Sequence, residues 1–416
     1  MAARGQGILG IAAILFFLAG AQCSLAAPPS ARLVVAGDIA CGESTAPSAT
    51  ECQQNATAAL VATLNPTAVA PLGDEQYENG TAFEFANFWA PSWGALRFPV
   101  HPVPGNHEYH DPAGNAAGYY GYFGAAAGNP ATGYYSYNLG AWHVIALNSN
   151  CNAVPCGRGS VQERWLRADL NAHRGVCTLA YWHHPLFTSG ETADDPNNAA
   201  SVSFWRDLYA HGADLVLNAH DHDYQRYALQ TPSGVIDRAQ GMREIVAGAG
   251  GRSLFQFIAP PGNTEVRNDR TFGVLLVTLD QFGYSWQFVP TVPGGFTDSG
   301  SGTCHETASM VKVPRSVRIK LSTGRGAARV HCANASGDRC AISLVLRGRH
   351  RAKVGTAKAT VAGGSTGTLT FRQTRRGRAM LKKAKGHKLR VTASGQSKNR
   401  LGQATLITRQ MTLKGR

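Results

Sequence analysis

Five short polar segments, each directly after an apolar strand-like run, constrain the fold of this chain more than any other feature. The apolar runs predict buried strands and cover residues 31–36, 67–72, 98–104, 176–182 and 214–219. The polar segments that follow them are Gly37-Asp38, Gly73-Asp74-Glu75-Gln76-Tyr77, Gly105-Asn106-His107-Glu108, His183-His184-Pro185 and His220-Asp221-His222. The sequence therefore predicts oxygen and imidazole donors at strand ends, where a rigid scaffold holds them.

The mixture of donor types predicts a centre with two unlike metal ions. Carboxylate and phenolate oxygens suit a hard, highly charged cation, whereas imidazoles and an amide oxygen suit divalent zinc, manganese or iron. Two cations about 3.5–4 Å apart need a shared ligand to offset their repulsion, and a carboxylate is the usual bridge. Asp74 is the predicted bridging residue.

These segments resemble the calcineurin-like metallophosphoesterase superfamily. Within it they resemble the purple-acid-phosphatase-like branch, because Tyr77 follows Asp74 by three positions, and the resemblance covers residues 32 to 251. His183 is preferred to His184 because it lies two residues before Pro185, as in the family. The resemblance implies Asp38, Asp74, Tyr77 and His222 as ligands of the first metal, and Asp74, Asn106, His183 and His220 as ligands of the second.

The same resemblance implies the identity of the cofactors, which are Fe(3+) and a divalent ion, either Zn, Mn or Fe. In this branch a tyrosinate binds the ferric ion, and a phenol with a reference pKa near 10 ionises at neutral pH only beside a strong positive charge. An intact Tyr77 therefore favours a trivalent first metal.

Each of these residues also has an ordinary structural interpretation. Asp38 and Asn106 could be turn residues, and Tyr77 could merely pack beside a site. The His183-His184 pair could be packed or hydrogen-bonded in the core, and the His220-Asp221-His222 segment could be a solvated strand edge. The order and spacing of all the segments together favour the metal centre.

Two positions depart from the family pattern. Ala219 stands where the family commonly has glycine, and we expect its methyl group to cause a small geometric adjustment without loss of metal. The loop at 186–198 contains no histidine, although relatives often place phosphate-binding histidines there. His184 and Tyr224 remain as weak candidates for that substrate contact.

The resemblance implies an enzyme that hydrolyses phosphate monoesters by metal-activated water, with in-line attack at phosphorus. His107, beside Asn106, is the predicted general acid for the leaving group; its alternative role is a hydrogen bond to Glu108 or Asp74. A phosphodiesterase or nucleotide hydrolase with the same metal centre is the first alternative function. The second is a wall-associated binding protein with a vestigial centre.

The amino-terminal residues and the cysteines predict export from the cytoplasm. Arg4, an apolar stretch at 8–21 and Ser24-Leu25-Ala26 predict a signal peptide over residues 1–26, with an uncleaved anchor as the alternative. The stretch is too short for a comfortable membrane span. Eight cysteines follow it, an even number that fits disulfides in an oxidising compartment. Close spacing favours the pairs Cys41–Cys52, Cys151–Cys156 and Cys332–Cys340, which leaves Cys177 with Cys304, although spacing does not prove connectivity.

Charge divides the chain into two parts. Residues 1–304 contain 14 arginines, no lysine and 24 acidic residues, whereas residues 305–416 contain 26 basic and 2 acidic residues. We therefore predict a catalytic domain at 27–304 and a basic domain at 305–416. For the first, the resemblance implies an α/β (α+β) fold in which two mixed sheets pack face to face between helices.

Period-two segments after residue 313 predict that the second domain is a small all-β, immunoglobulin-like sandwich. Its cationic runs, at 347–353 and 372–388, could attract an anionic cell-wall polymer, lipid head groups or nucleic acid, or could simply be a solvated surface. Phe371 is the only aromatic residue of the tail, which disfavours base stacking and hence a specific nucleic-acid partner. The predicted partners are a small phosphate ester and an anionic wall polymer, for a protein that is secreted or associated with the cell envelope and has no integral membrane span.

Overall fold

The computed structural model describes most of the chain beyond the predicted signal peptide, which lies outside the described residues. The described ranges are 30–43, 45–173, 176–258, 262–281, 283–305, 311, 313–332, 339–348, 351–399 and 404–416. Among them, no helix has both the length and the apolar character needed to cross a membrane.

Two sheets and their helices form the amino-terminal part of the structure. The strands are β1 (Ala31–Ala36), β2 (Ala68–Pro71), β3 (Tyr135–Leu139), β4 (Trp142–Ala146), β5 (Thr178–Tyr181), β6 (Leu215–Asn218), β7 (Tyr224–Tyr227), β8 (Arg243–Ala247), β9 (Thr264–Asn268), β10 (Gly273–Asp280), β11 (Gly283–Pro290) and β12 (Ser299–Thr303). The helices are α1 (Gln54–Leu64), α2 (Ala82–Glu84), α3 (Ala117–Phe123), α4 (Val161–Ala172), α5 (Pro196–Ala200) and α6 (Val202–Ala210). Short π and 3₁₀ segments occur at Phe85–Trp89, Trp93–Ala95, His107–His110 and Gly124–Ala127.

Both sheets are mixed, as the family resemblance implies. The first has the strand order β12-β11-β10-β1-β2, in which β1 and β2 are parallel. The second has the order β3-β4-β5-β6-β8-β7-β9, and its central strands β4, β5, β6 and β8 are parallel. Parallel strands buried on both faces are expected to be almost continuously apolar, as β2 and β5 are.

The hydrophobic cores show how these layers pack. One core joins alternate residues of β1, β10 and β11 to alternate residues of β4, β5 and β6, so the sheets lie face to face. A second core packs α1, α3 and the aromatic segment Phe85–Trp89 on the outer face of the first sheet. A third packs α4 and α6 on the outer face of the second sheet. The predicted double-sheet sandwich flanked by helices is confirmed.

The predicted strand at 98–104 is wrong in its detail. This segment runs beside β2, but it forms an isolated bridge between Val100 and Val69 instead of a strand. Three hydrogen bonds join it to β2, from Val69 N to the Pro99 carbonyl oxygen, from His101 N to that of Val69 and from Val103 N to that of Pro71. Pro99, Pro102 and Pro104 have no N–H group to donate, so a regular ladder is impossible. The segment nevertheless delivers Asn106 to the ends of the neighbouring strands.

The carboxy-terminal part is all-β, as predicted, but its architecture differs from an immunoglobulin-like sandwich. Its strands are β13 (Ser316–Lys320), β14 (Arg325–His331), β15 (Arg339–Arg347), β16 (Lys353–Ala362), β17 (Thr366–Gln373), β18 (Lys388–Lys398) and β19 (Ala404–Gly415), with helix α7 (Arg375–Lys383) and a 3₁₀ turn at Lys385–His387. Parallel pairing of β13 with β19 closes these seven strands into one barrel instead of two open sheets. Its interior is a separate hydrophobic core that includes Leu381 of α7.

Four disulfides cross-link the chain, and their connectivity is the one that spacing favoured. They join Cys41 to Cys52, Cys151 to Cys156, Cys177 to Cys304, and Cys332 to Cys340. The Cys177–Cys304 bridge connects the residue before β5 in the second sheet to the residue after β12 in the first. It therefore fastens the two halves of the sandwich to each other.

Candidate metal centre

Four side chains converge at the carboxyl ends of β1, β2 and β6. The Tyr77 hydroxyl lies 3.0 Å from Asp38 Oδ1, 2.8 Å from Asp74 Oδ2 and 3.0 Å from His222 Nε2. All four residues are buried. These are the residues predicted to hold the first metal.

The other predicted ligands form a second group that also contacts Asp74 Oδ2. His183 Nε2 is 3.4 Å from Asp74 Oδ2, 3.2 Å from Asn106 Oδ1 and 3.1 Å from His220 Nδ1. Asp74 Oδ2 thus lies between the two groups of donors, while Asp74 Oδ1 accepts a hydrogen bond from His107 N at 2.9 Å. The structure brings all seven predicted side chains together, and their role as ligands stays a prediction.

The backbone is strained at three of these seven positions. Asp38, Asp74 and His220 have φ values of 58°, 49° and 71°, a region that residues other than glycine seldom adopt. Such strain costs on the order of 1–3 kcal/mol for each residue and persists where the surrounding structure enforces it, commonly at functional sites. The backbone therefore holds these three residues in conformations that position their side chains, at a cost in local stability.

Two glycines leave the space that the cluster needs. A Cβ atom on Gly105 would lie 2.1 Å from Asp74 Oδ1, so only glycine fits beside this carboxylate. A Cβ atom on Gly37 would lie 2.3 Å from the methyl carbon of Ala219. Gly37, on the facing segment, has no side chain, and this leaves room for the methyl group of Ala219.

The surrounding residues fix the orientation of the imidazoles. His183 Nδ1 donates to the Leu72 carbonyl oxygen at 2.9 Å, which orients the ring so that Nε2 faces the cluster. His220 presents Nδ1 to the cluster and bonds to Asp195 Oδ2 through Nε2 at 3.2 Å. His222 Nδ1 bonds to Ser253 Oγ at 2.9 Å, and the ring stacks on Phe255. Second partners of this kind are typical of histidines that bind metals.

Glu108 ties together the two loops that carry Asp74 and Asn106. Its carboxylate accepts hydrogen bonds from the backbone N–H groups of Asp74 at 3.0 Å, Gly105 at 2.7 Å and Gln76 at 3.2 Å. Burial, together with the nearby Asp74 carboxylate, raises the pKa of Glu108 to about 7. Glu108 makes these contacts instead of the hydrogen bond to His107 that sequence reasoning considered.

The charges of the cluster show why it needs cations. Burial raises the pKa of Asp38, and the Asp74 carboxylate raises it further. Burial opposes ionisation of Asp74 as well, but His183 and His107 hold the pKa of Asp74 well below its ordinary value. Burial and both carboxylates raise the pKa of Tyr77, so its phenolate forms only when an added positive charge offsets these effects.

The donor set fits the implied pair of metal ions. Two carboxylates, a phenol, an amide oxygen and three imidazoles meet in one buried cluster, which also contains two overlapping groups of potential ligands, Asp38-Asp74-His183 and His183-His184-His220. The oxygen-rich group around Tyr77 suits a hard cation, and the imidazole-rich group around His183 suits a borderline divalent ion.

His107 lies at the open side of the cluster. Its Nε2 is 3.9 Å from Asp74 Oδ2, its Nδ1 is 2.6 Å from the Glu78 carbonyl oxygen, and its side chain is 23% exposed. Because the carbonyl oxygen can only accept, Nδ1 carries a proton and Nε2 is the atom available to the cluster and to solvent.

The two candidates for substrate contact differ in their surroundings. His184 is buried beside His220, with Nδ1 2.7 Å from Ser149 Oγ and no hydrogen-bond partner for Nε2 among the described residues. Tyr224 donates to Asp298 Oδ2 at 2.7 Å and belongs to the core between the sheets.

Sequence reasoning missed Asp195 and Ser253, since neither belongs to a polar segment that follows a predicted strand.

Comparison with known proteins agrees with this geometry. A profile of the calcineurin-like phosphoesterase family matches residues 31–224. Purple acid phosphatase 15 of Arabidopsis thaliana is 29% identical over 138 residues, which cover 31% of this chain and 25% of that protein. Acid phosphatase type 7 of Homo sapiens is 31% identical over 150 residues, which cover 32% of this chain and 33% of that protein. The chain thus matches only a quarter to a third of the length of these two curated relatives.

A solved structure shows that the fold is shared as well. The purple acid phosphatase PPD1 from yellow lupin (Lupinus luteus) seeds superposes with a TM-score of 0.58 at 18% sequence identity, covering 66% of this chain and 54% of that chain. At this level of identity the likeness concerns the fold alone.

Proposed function

We propose that this chain is an exported two-metal phosphohydrolase that cleaves phosphate monoesters, since a profile of the calcineurin-like phosphoesterase family matches residues 31–224. The observation that carries the proposal is the position of Asp74 Oδ2 between two groups of donors, 2.8 Å from the Tyr77 hydroxyl and 3.4 Å from His183 Nε2. One carboxylate oxygen in this position can bridge two cations.

The metals have separate ligand sets in this proposal. Asp38, Asp74, Tyr77 and His222 would hold Fe(3+), and Asp74, Asn106, His183 and His220 would hold a divalent zinc, manganese or iron ion. When bound, the two ions supply a nucleophile at neutral pH and stabilise negative charge on the transferring phosphoryl group. The protein residues position these ligands through the hydrogen bonds of Leu72, Ser253, Asp195 and Glu108.

His107 gives a proton to the leaving group in the proposed reaction. The Glu78 carbonyl oxygen fixes the proton on Nδ1 and orients the ring, so the imidazolium form presents a second proton on Nε2 at the open side of the cluster. His107 Nε2 lies 3.9 Å from Asp74 Oδ2, at the edge of the cluster. A leaving alkoxide that accepts this proton departs as an alcohol.

The test of the function compares esters and metal content in the same preparation. Purified exported protein is assayed on an aryl phosphate monoester and a bis-aryl phosphate diester, while metal content and visible absorption are measured. We expect monoester hydrolysis, two metal ions per chain and the colour of a ferric tyrosinate. Preferential hydrolysis of the diester would favour the phosphodiesterase alternative instead.

Asp74→Ala tests the bridging assignment. We expect the variant to lose both ions and all detectable activity, because one side chain serves both sites. Asp280→Ala removes an exposed carboxylate at the end of β10 and serves as the control, which we expect to keep its metals. An Asp74→Ala protein that retains two metal ions would contradict the bridge.

His107→Asn tests the acid assignment through the leaving group. General acid catalysis contributes roughly 10²–10⁴-fold, and an activated aryl leaving group needs little of it. We therefore expect a loss of about 100-fold or more on an alkyl phosphate and a much smaller loss on the aryl phosphate. His110→Asn changes the exposed neighbouring ring as the control. Equal losses on both substrates would remove the assignment.

Export and retention at the cell envelope complete the proposal. Four disulfides support an oxidising compartment, and the predicted cleavage after Ala26 would leave Ala27 as the first residue of the exported protein. The basic tail would hold the enzyme on an anionic wall polymer. Sequencing the amino terminus of the exported protein tests the cleavage; a chain that retains residues 1–26 would contradict it.

A further inference from the structure

The outer face of the carboxy-terminal barrel carries a positively charged groove. The groove encloses ≈ 880 Å³ and crosses β15, β16, β17 and β18. Lys358, Arg372 and Lys398 line it, and all three side chains are exposed. We define these residues, with the hydroxyl and amide groups between them, as the barrel groove.

Strand register places the three cations on a diagonal. Lys358 pairs with Thr370 on β17 and with Ser343 on β15, and Ser343 pairs with Gln396 on β18. Arg372 lies two residues beyond Thr370 in one direction, and Lys398 lies two residues beyond Gln396 on the opposite side of this row. Neighbouring strands are about 4.8 Å apart and diagonal neighbours about 7–8 Å apart, so the cations form an extended line instead of a compact cluster.

Neutral hydrogen-bonding groups fill the space between the cations. Ser343, Thr356, Thr360, Thr370 and Gln396 line the same groove. Carboxylates do not compete for it in the described structure, because Glu306 and Asp338 are the only acidic residues after Cys304 and both lie outside the described ranges. A row of donors flanked by lysine and arginine suits repeated phosphate groups, since arginine can bind phosphate through two parallel hydrogen bonds.

The composition of this face distinguishes among polyanions. Nucleic acids in single-stranded form are held by aromatic side chains that stack on bases. Phe371, the only aromatic residue of the tail, is fully buried in the barrel core. The groove therefore offers charge and hydrogen bonds to a polymer backbone and no stacking surface for bases.

We propose that the barrel groove binds a linear phosphate-bearing polymer without nucleobases that lies along the diagonal from Arg372 through Lys358 to Lys398. The preference for phosphate over other anions rests on the proposed phosphohydrolase function. The positive charge of the groove and its strand register are observed independently of that proposal. The groove would keep the catalytic part next to an envelope polymer that carries phosphate.

The experiment measures binding of inorganic polyphosphate to the full-length chain. All proteins in the binding assay carry Asp74→Ala, so that hydrolysis does not shorten the probe. The groove variant combines Lys358→Ala, Arg372→Ala and Lys398→Ala. The control combines Lys320→Ala, Lys388→Ala and Lys414→Ala, which removes the same charge from exposed barrel positions outside the groove.

We expect the groove variant to bind polyphosphate at least about 10-fold more weakly at 0.15 M salt, whereas the control changes little. Loss of three phosphate contacts should also reduce the slope of log affinity against log salt by roughly 2–3. Equal weakening in both variants would show that the charge acts diffusely and would overturn the proposal. Polyglutamate or single-stranded DNA bound as tightly as polyphosphate in the same groove would also overturn it.

A parallel assay separates this inference from the proposed function. The groove and control substitutions are placed in the chain with Asp74 intact, and hydrolysis of a small aryl phosphate is measured. A chain that hydrolyses the ester without binding polyphosphate overturns the groove alone. A chain that binds polyphosphate through the groove without hydrolysing the ester overturns the phosphohydrolase alone.

Discussion

At the scale of single residues, Asp74 divides two tasks between its carboxylate oxygens. Oδ2 faces Tyr77 and His183, and Oδ1 accepts the hydrogen bond of His107 N. Gly105 lies against Oδ1 so closely that no side chain fits there. The position of the Asp74 carboxylate, whose Oδ2 is the proposed bridge, therefore depends on the backbone of Gly105, which is not one of the proposed ligands.

Gly105→Ala should disturb Asp74 without removing any donor. The added methyl group would overlap Oδ1, so we expect a loss of metal and a decrease in activity of about 100-fold or more, comparable to the cost of a 1 Å misplacement of catalytic groups. Metal stoichiometry and aryl phosphate hydrolysis measure both effects. Gly157→Ala is the control, since a Cβ atom there would have no neighbour within 4 Å. Unchanged metal content in Gly105→Ala would contradict this reasoning.

Glu244 gives a prediction about pH and stability. Burial raises the pKa of this carboxyl well above its ordinary value of 4.5, although it accepts hydrogen bonds from Leu186 N and Phe187 N. Because the folded state favours the protonated form, Glu244 destabilises the protein as the pH rises above 4.5 towards the raised pKa. We expect Glu244→Gln to be more stable than the parent at pH 8 and to differ little at pH 4.

Urea unfolding at both pH values measures that difference. Glu265→Gln on neighbouring β9 is the control, since this carboxylate is partly exposed and paired with Arg226 and Arg243. A Glu244→Gln variant that loses the same stability at both pH values would show that the carboxyl acts through its hydrogen bonds alone.

At the scale of elements, the sequence predicts the strands better than it predicts the residues that contact the site from other parts of the chain. β1 spans the same residues as its predicted run, and β2, β5 and β6 lie inside theirs, because apolar β-branched stretches bounded by polar turns are a local signal. Residues 98–104 fail as a strand because three prolines cannot donate to a ladder. Ser253 contacts His222, and Asp195 contacts His220, only through tertiary packing. No local sequence pattern therefore predicts these two contacts.

The Cys177–Cys304 disulfide joins these elements across the sandwich, and its loss should be costly. It closes a loop with a sequence separation of 127 residues, against 5 for Cys151–Cys156. Loop-closure entropy then makes the long bridge more stabilising by roughly 2–3 kcal/mol. We expect the Cys177→Ala, Cys304→Ala double variant to unfold at lower urea concentration than the Cys151→Ala, Cys156→Ala control. The reverse order would contradict the entropic argument.

At the scale of the whole molecule, the chain combines two units with separate hydrophobic cores and opposite charge. Within the part of the chain that the structure describes, the cores around the sheets of the amino-terminal part contain no residue beyond Cys304. Among the described residues, the buried core of the barrel begins at Val313, and Val311 packs against it partly buried. The all-β character of the tail was predictable from its period-two segments, but barrel closure depends on a long-range pairing between β13 and β19 that no segment reveals.

Truncation after Glu306 tests the independence of the two units. The shortened chain keeps Cys304 and therefore the long disulfide. We expect kcat/KM on a small soluble ester to stay within about 2-fold of the full-length value, because additive behaviour is usual for parts that share few contacts. A truncated protein that folds but loses hydrolysis would show that the barrel takes part in catalysis.

The close approach of Gly37 and Ala219 limits which pairs of side chains these two positions can hold. The two positions share room for a single methyl group, so enlarging either one is tolerated only while the other stays small. Exchanging the two residues in this chain should consequently preserve the architecture that Gly37→Ala alone would damage.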